Sequence, residues 1–159
     1  MNEITLTPIG IIHTPYKEAK DIPIQGAFRK DVGGWVELEK KYAPGLKDLN
    51  EFSHAFLLYY FHKTDKEHLR GKPYLEDETH GIFAIRSPHR PNHIGISVVK
   101  IKKIQENKIY FNEVDMLDGT PLLDIKPYSK YFDSRDDSVS GWLEKHFVDG
   151  GIPERTILK

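Results

Sequence analysis

The sequence predicts an all-β domain, a barrel or a sandwich, on three observations. Its apolar segments are short, and several alternate with polar residues at the two-residue period of a half-buried strand, as in residues 35–39, 96–104 and 109–114. The 12 glycines and 10 prolines punctuate the 159 residues, so turns come often. No helical segments alternate with strands as a β/α fold requires. At this length the chain forms one domain, residues 1–159, with a sizeable core. It has no internal repeat or linker, and a short polar tail runs from about residue 148.

The elements follow in order. Residues 4–13 read as a strand kinked or bulged at Pro8, closed by Thr14-Pro15. Residues 16–26 mix charges with Pro23 and Gly26 and read as a surface loop. Within residues 32–39, Trp35-Val36-Glu37-Leu38-Glu39 forms an alternating strand after Gly33-Gly34, and residues 42–50 form a loop with one helical turn. Residues 51–62 are the most apolar and aromatic stretch, which predicts a strand buried on both faces. His54 and His62 flank it, and hydrogen-bonded core histidines are the plainer account of them. Residues 63–77, charged and broken by Gly71 and Pro73, read as the most mobile connection. Strands follow at 82–85 and 94–104, a turn at Asn107, and a strand at 109–114. Asp118-Gly119 between two apolar arms predicts a tight hairpin, whose turn needs positive φ. Residues 138–147 form a short helix with Trp142 facing inward.

The stretch that joins the strands at 82–85 and 94–104 carries the chemistry. In Arg86-Ser87-Pro88-His89-Arg90-Pro91-Asn92-His93 the two prolines lack donors and push their predecessors out of the helical region. The loop is therefore stiff and extended, and it presents two guanidiniums, a hydroxyl, an amide and two imidazoles. Such a loop loses little entropy on ordering around a ligand and makes a good pocket wall. The plainer account is an irregular crossover whose arginines face water. Among the carboxylates, Asp118 is explained by its turn alone. Asp115 and Asp124 lie in apolar segments and need partners, either a ligand or a buried salt bridge to Arg86 or Arg90.

Composition and motif searches exclude several chemistries. Lys+Arg at 23 against Asp+Glu at 24 gives no whole-molecule signal for nucleic acid, so any basic face is local. The absence of cysteine excludes disulfides, thiolate zinc sites and a cysteine nucleophile. There is no secretory signal and no apolar run near the roughly 20 residues that span a bilayer, so a soluble cytoplasmic protein is expected. Rossmann, P-loop and Gly-x-Ser-x-Gly patterns are missing, and Ser87 has no evident base. His89 and His93 have the spacing of a helical zinc pair, but Pro91 between them argues against a helix, so no metal is expected.

Residues 86–97, Arg86-Ser87-Pro88-His89-Arg90-Pro91-Asn92-His93-Ile94-Gly95-Ile96-Ser97, resemble the signature of the TsaA-like (TrmO, YaeB-like) family of S-adenosylmethionine-dependent tRNA methyltransferases. Further blocks match in the family's order: Pro8-Ile9-Gly10 with His13 and Pro15, Phe52-Ser53-His54, and Leu117-Asp118-Gly119-Thr120-Pro121 running into Asp124-Ile125-Lys126-Pro127-Tyr128. The resemblance implies a closed or nearly closed single-domain β-barrel with short helical turns, working as a homodimer. It implies that S-adenosylmethionine lies against the loop of Ser87, Pro88, His89, Arg90, Asn92, His93, Ile94 and Gly95 and against the hairpin of Leu117, Asp118, Gly119 and Thr120. Asp115 joins them on its chemistry, as a carboxylate that, like Asp118, suits the donor's ammonium or ribose hydroxyls. The implied acceptor is the exocyclic nitrogen of threonylcarbamoyladenosine beside the anticodon of tRNA.

In that framework Arg86, Asp124 and Lys126 are the expected catalytic residues, with Arg86 and Lys126 orienting the threonyl carboxylate. The proton acceptor stays open among His89, His93, Asp124 and solvent. Lys100, Lys102, Lys103 and Lys108 form one candidate RNA strip, and Lys63, Lys66, Arg70 and Lys72 another; a solvated charged face explains either equally well. Methylation of a small metabolite and a non-catalytic S-adenosylmethionine-binding module are the alternatives. Two departures stand out. His93 replaces a proline common in the family, which loosens the loop and adds a hydrogen-bonding group. The C-terminal extension of longer bacterial members is absent, which weakens the substrate assignment more than the donor assignment.

Overall fold

A computed structural model describes residues 2–148 and 151–153. Its strands, in chain order, are β1 (Gly10–His13), β2 (Gly33–Leu38), β3 (His54–Tyr60), β4 (Arg70–Gly71), β5 (His80–Gly81), β6 (Ile94–Gln105), β7 (Lys108–Asn112) and β8 (Thr120–Pro127). Antiparallel pairing closes β1-β2-β7-β6-β3-β8 into a barrel, and β4 and β5 form a separate two-stranded ribbon. The closed barrel is the fold that the family resemblance implied.

Alternation fills the barrel. Ile12, Val36, Leu57, Val99, Phe111 and Leu122 point inward and are at most 1% exposed. Gly95 is paired with Tyr59, and a Cβ there would lie 2.3 Å from the Tyr59 ring, so the missing side chain makes room for that aromatic. In β3 only one face is fully buried: Ala55, Leu57 and Tyr59 are interior, whereas Phe56 and Leu58 are half-buried and Tyr60 is 39% exposed. The expectation of burial on both faces fails because a barrel wall has an outside.

Pairing also sorts the connections. His13 pairs with Trp35, Gly33 with Asn112, Tyr60 with Ile94, and Ile12 with Thr120. The connections 14–32, 61–93 and 113–119 therefore leave the barrel at one common mouth. The connection 39–53 and the β6–β7 turn lie at the other end.

Several elements differ from their sequence reading. Residues 4–9 are not strand; Pro8 has no ladder donor, and pairing begins at Gly10. Residues 82–85 are not strand either. Ile82–Ala84 is a 3₁₀ turn, and the apolar pattern arises because Ile82 and Ile85 are buried anchors of the mouth loop. The Asp118-Gly119 turn forms, with Gly119 at φ 78°, but residues 114–117 do not pair with β8. Asp118 and Gly119 instead donate to Tyr16 and Ile12, because β8 is zipped between β1 and β3.

Residues 63–77 contain buried Leu75 and Glu76 and are not merely a solvated connection. Residues 141–146 form a 3₁₀ helix, and Trp142 packs on the mouth loop, donating Nε1 to Ala84 O at 2.9 Å. Most of the expected tail beyond residue 148 lies outside the described residues. No helix among the described residues is long and apolar enough to cross a membrane.

Candidate functional site

At the mouth, the signature loop stiffens itself. Arg90 donates Nη1 to Ile85 O at 3.0 Å, and the His89 N–H donates to Ser87 Oγ at 3.3 Å. The chain then turns sharply, with Asn92 and His93 at φ 62° and 49°. His93 Nδ1 donates to Pro88 O at 3.0 Å, and its N–H to Arg90 O at 3.1 Å. A proline, whose φ is fixed near −65°, cannot take this His93 conformation or supply that N–H, so the residue that departs from the family pattern makes a turn closed to proline. His89 and His93 face different partners: His89 Nδ1 lies 2.6 Å from the Thr64 hydroxyl.

Arg86 reaches across to another connection and donates to Gln25 Oε1 at 2.9 Å. Gln25 precedes a 3₁₀ turn at Gly26–Phe28, and the Gly26 N–H donates to Asp115 Oδ2 at 2.9 Å. Only glycine fits there, since a Cβ would sit 1.8 Å from Glu113 O. Ser97 Oγ donates to Asp115 Oδ1 in a short hydrogen bond. Its single proton being used, the Tyr59 hydroxyl at 3.0 Å is the donor to Ser97. Burial pushes the Asp115 carboxyl above the usual carboxylate range, against the pull of Ser97, Gly26 and the Arg86 charge. Burial, then the Asp115 charge, pushes the Tyr59 phenol upward as well. Among the described residues no ion pair joins Asp115 or Asp124 to Arg86 or Arg90; hydrogen bonds to a serine and a backbone N–H satisfy Asp115 instead.

Asp118, three residues on, has a different setting. It accepts from Lys17 Nζ at 2.6 Å and from the Thr14 N–H at 3.1 Å, with His13 Nδ1 at 3.6 Å. The Lys17 hydrogen bond holds its carboxyl below the usual range. It borders an open cavity of about 350 Å³ lined by His13, Thr14, Lys17, Gly34 and Trp35. Thr120 Oγ1 donates to Leu117 O at 2.7 Å and closes the turn. A Cβ on Gly119 would lie 4.0 Å from His62 Nε2, and burial, then Lys63, lowers the His62 pKa.

Asp124 and Lys126 lie elsewhere. Leu58 pairs with Asp124 but Tyr59 with Leu122, so Leu123 is a bulge that reverses the inside–outside alternation of β8. Asp124 and Lys126 thus face outward and pair with each other at 2.9 Å. The sequence-named residues fall into three groups: the loop at 86–95 with Asp115, the Asp118 turn against β1, and the outer-wall pair. Gln25, Gly26, Tyr59, Lys17 and Thr14 join them without having been singled out. Ser97 stood within the signature block but carried no assigned role.

A family model described as the tRNA-methyltransferase O N-terminal domain matches residues 11–134. A Pyrococcus abyssi protein named as a probable S-adenosyl-L-methionine-binding protein is 52% identical over 143 residues, 90% of this chain and 78% of that protein. A mouse tRNA (adenine(37)-N6)-methyltransferase is 46% identical over 134 residues, 80% of this chain but 31% of its own. The crystal structure of TrmO from Pseudomonas aeruginosa superimposes with a TM-score of 0.76 at 34% identity, over 89% of this chain and 63% of that one. The chain therefore spans less than two thirds of that solved relative, in the region that carries the barrel. A barrel, a signature loop and a family model that agree over most of the chain make it a member of the tRNA-methyltransferase O (TsaA-like) family.

Proposed function

We propose that the protein transfers a methyl group from S-adenosylmethionine to the exocyclic nitrogen of threonylcarbamoyladenosine beside the anticodon of tRNA, in the cytoplasm. The observation that carries this reading is the cluster at the barrel mouth in which Arg86 bonds Gln25, the adjoining Gly26 bonds Asp115, and the Arg86 charge acts on the Asp115 carboxyl. A methionine moiety carries an ammonium and a carboxylate, and a desolvated carboxylate near a guanidinium complements both. Arg86 keeps N–H donors beyond the one given to Gln25, so it remains available to a carboxylate. The residues thus fit the donor, with Asp115 and Asp118 suited to its ammonium and ribose hydroxyls and the loop at 86–95 suited to be a wall.

The donor supplies a methyl group made electrophilic by its sulfonium. The protein's task is to align the accepting nitrogen and to receive its proton. His93 suits the second role: its Nδ1 proton is committed to Pro88 O, which leaves Nε2 of the neutral ring as acceptor. Asp124 is paired with Lys126 at 2.9 Å, and that pair lies on the outer wall. Its use in the reaction, with Lys126 holding the threonyl carboxylate, therefore calls for a second chain against that wall; Arg86, given to the donor at the mouth, leaves that role to Lys126. The wall supports a homodimer: Tyr60, Ile94, Ile96 and Val98 are 39%, 38%, 48% and 38% exposed on its outer face.

RNA as acceptor draws support from a second outer face. His13, Trp35, Tyr110 and Lys103 lie side by side across β1, β2, β7 and β6. Lys108 sits over the Trp35 ring and Lys103 over that of Tyr110, at 4.7 and 5.4 Å from the centroids. Aromatic surfaces interleaved with lysines suit unstacked bases and phosphates.

The test is transfer of labelled methyl to tRNA with and without the threonylcarbamoyl group, beside calorimetric titration with S-adenosylmethionine. Labelling of the modified tRNA alone is the expected result. Donor binding with no tRNA labelled would overturn the acceptor and favour methylation of a small metabolite, or a non-catalytic S-adenosylmethionine-binding module.

A further inference from the structure

The most buried carboxylate among the described residues lies outside this site, in a stretch whose composition reads as mobile. Glu76 is 6% exposed. Its Oε1 accepts a short hydrogen bond from His80 Nε2, and its Oε2 accepts from Lys145 Nζ at 2.6 Å and His146 Nε2 at 2.8 Å. Lys145 first, then His146, holds the carboxyl down at about 2. The lysine side chain is 54% exposed and its attraction is screened, whereas the imidazoles are 17% and 21% exposed and form the firmer grip. Glu76, Glu78 and His80 could together approach a cation. The Lys145 ammonium on Glu76 is the wrong neighbour for one, and the cluster is better read as an ion-pair hub.

The partners of Glu76 come from one segment, residues 141–147, and from His80, and that segment touches two walls of the mouth. Trp142 stacks on His80 at 4.8 Å and 18° and donates to Ala84 O, two positions before Arg86. Phe147 stacks on Phe28 at 6.2 Å. Phe28 ends the turn whose first residue, Gly26, holds Asp115, and Gln25 just before it accepts from Arg86. The segment is thus fastened to each of the two connections that meet at the Arg86–Gln25 bond.

We propose that residues 141–147 are a strap across the barrel mouth, and that Glu76 and Trp142 are positioning residues that hold Arg86 against Gln25. The placement of Arg86 is a matter of this geometry alone; its consequence for catalysis rests on the methyltransferase reading. Ion pairs, a ring stack and a directional N–H···O bond fix the strap in one register, where apolar contacts alone would let it slide.

Amide hydrogen exchange on the full chain tests the placement without any ligand. In Glu76→Gln and Trp142→Ala, residues 82–90 and 25–28 should exchange about tenfold faster while β3 and β6 keep their protection. Trp142→Phe, which keeps the stack on His80 but not the hydrogen bond, should fall between. With labelled methyl transfer as a second readout, both variants should raise KM for S-adenosylmethionine more than they lower kcat. Unchanged exchange at 82–90 in a folded Trp142→Ala protein would overturn the strap, and should Glu76→Gln fail to fold, Trp142→Ala decides alone. A wild type without turnover would overturn the methyltransferase reading and leave the exchange result standing.

Discussion

Asp115 and Asp118 sit three residues apart on one connection, yet they occupy opposite electrostatic settings. Asp115 is turned inward to Ser97, Tyr59 and the Gly26 N–H, with no ammonium among the described residues on it, and its carboxyl is pushed up. Asp118 faces the open cavity beside β1, bonded to Lys17, and its carboxyl is held down. The difference is one of partners and solvent, since the side chains are identical. Asp115 ties the turn at Gly26–Phe28 to β6, and through Ser97 to Tyr59 of β3, and is built into the fold. Asp118 is a turn residue whose surface partner is a lysine with a side chain 70% exposed, which a cationic ligand group could displace.

The largest break in this contrast should come from Gly26→Ala. Its Cβ would overlap Glu113 O, so the turn must move and Asp115 must lose its backbone donor. We expect denaturant unfolding to show a destabilisation of about 4 kcal/mol, and the displaced turn should carry Gln25 out of hydrogen-bonding reach of Arg86. Asp115→Ala should follow at about 2–3 kcal/mol, because Ser97 and the Gly26 N–H are left without their acceptor. Asp118→Ala should cost about 1 kcal/mol, mostly for the Thr14 N–H, while weakening S-adenosylmethionine binding in calorimetry. Equal losses for the two aspartates would erase the distinction.

How much of this contrast was legible in the sequence depends on distance along the chain. The signature block named the loop at 86–93, and the Asp-Gly pair named the turn at Gly119, because prolines and a positive φ are local signals. The link from Gly26 to Asp115 spans 89 positions and that from Arg86 to Gln25 spans 61, and no periodicity encodes either. Gln25 and Gly26 were accordingly hidden in what read as an ordinary surface loop. Glu76 was hidden by its charged neighbours, because its burial depends on a segment some 70 residues later. The outward turn of Asp124 and Lys126 follows from a one-residue bulge at Leu123, and such a slip changes faces without changing the apolar pattern.

The smallest expected effect is also the sharpest, because its sign differs between the two aspartates. The unfolded carboxyl titrates near 3.9. Asp118 is held below that value, so its stabilisation is complete above it and is lost as pH falls through the lower, folded value. Asp115 is held above it, so the folded protein binds that proton more tightly, and stability from this group rises as pH falls through the folded value toward about 3.9. Unfolding midpoints of the wild type, Asp115→Asn and Asp118→Asn should therefore be compared between pH 7 and pH 3. The advantage of the wild type over Asp118→Asn should shrink with acid by less than about 1 kcal/mol, given how exposed Lys17 is. Relative to Asp115→Asn, the wild type should gain over the same range. Two differences that move in the same direction would mean that the two carboxyls share one environment, and the division of this connection into an inward, hydrogen-bonded carboxyl and an outward, lysine-paired one would have to be given up.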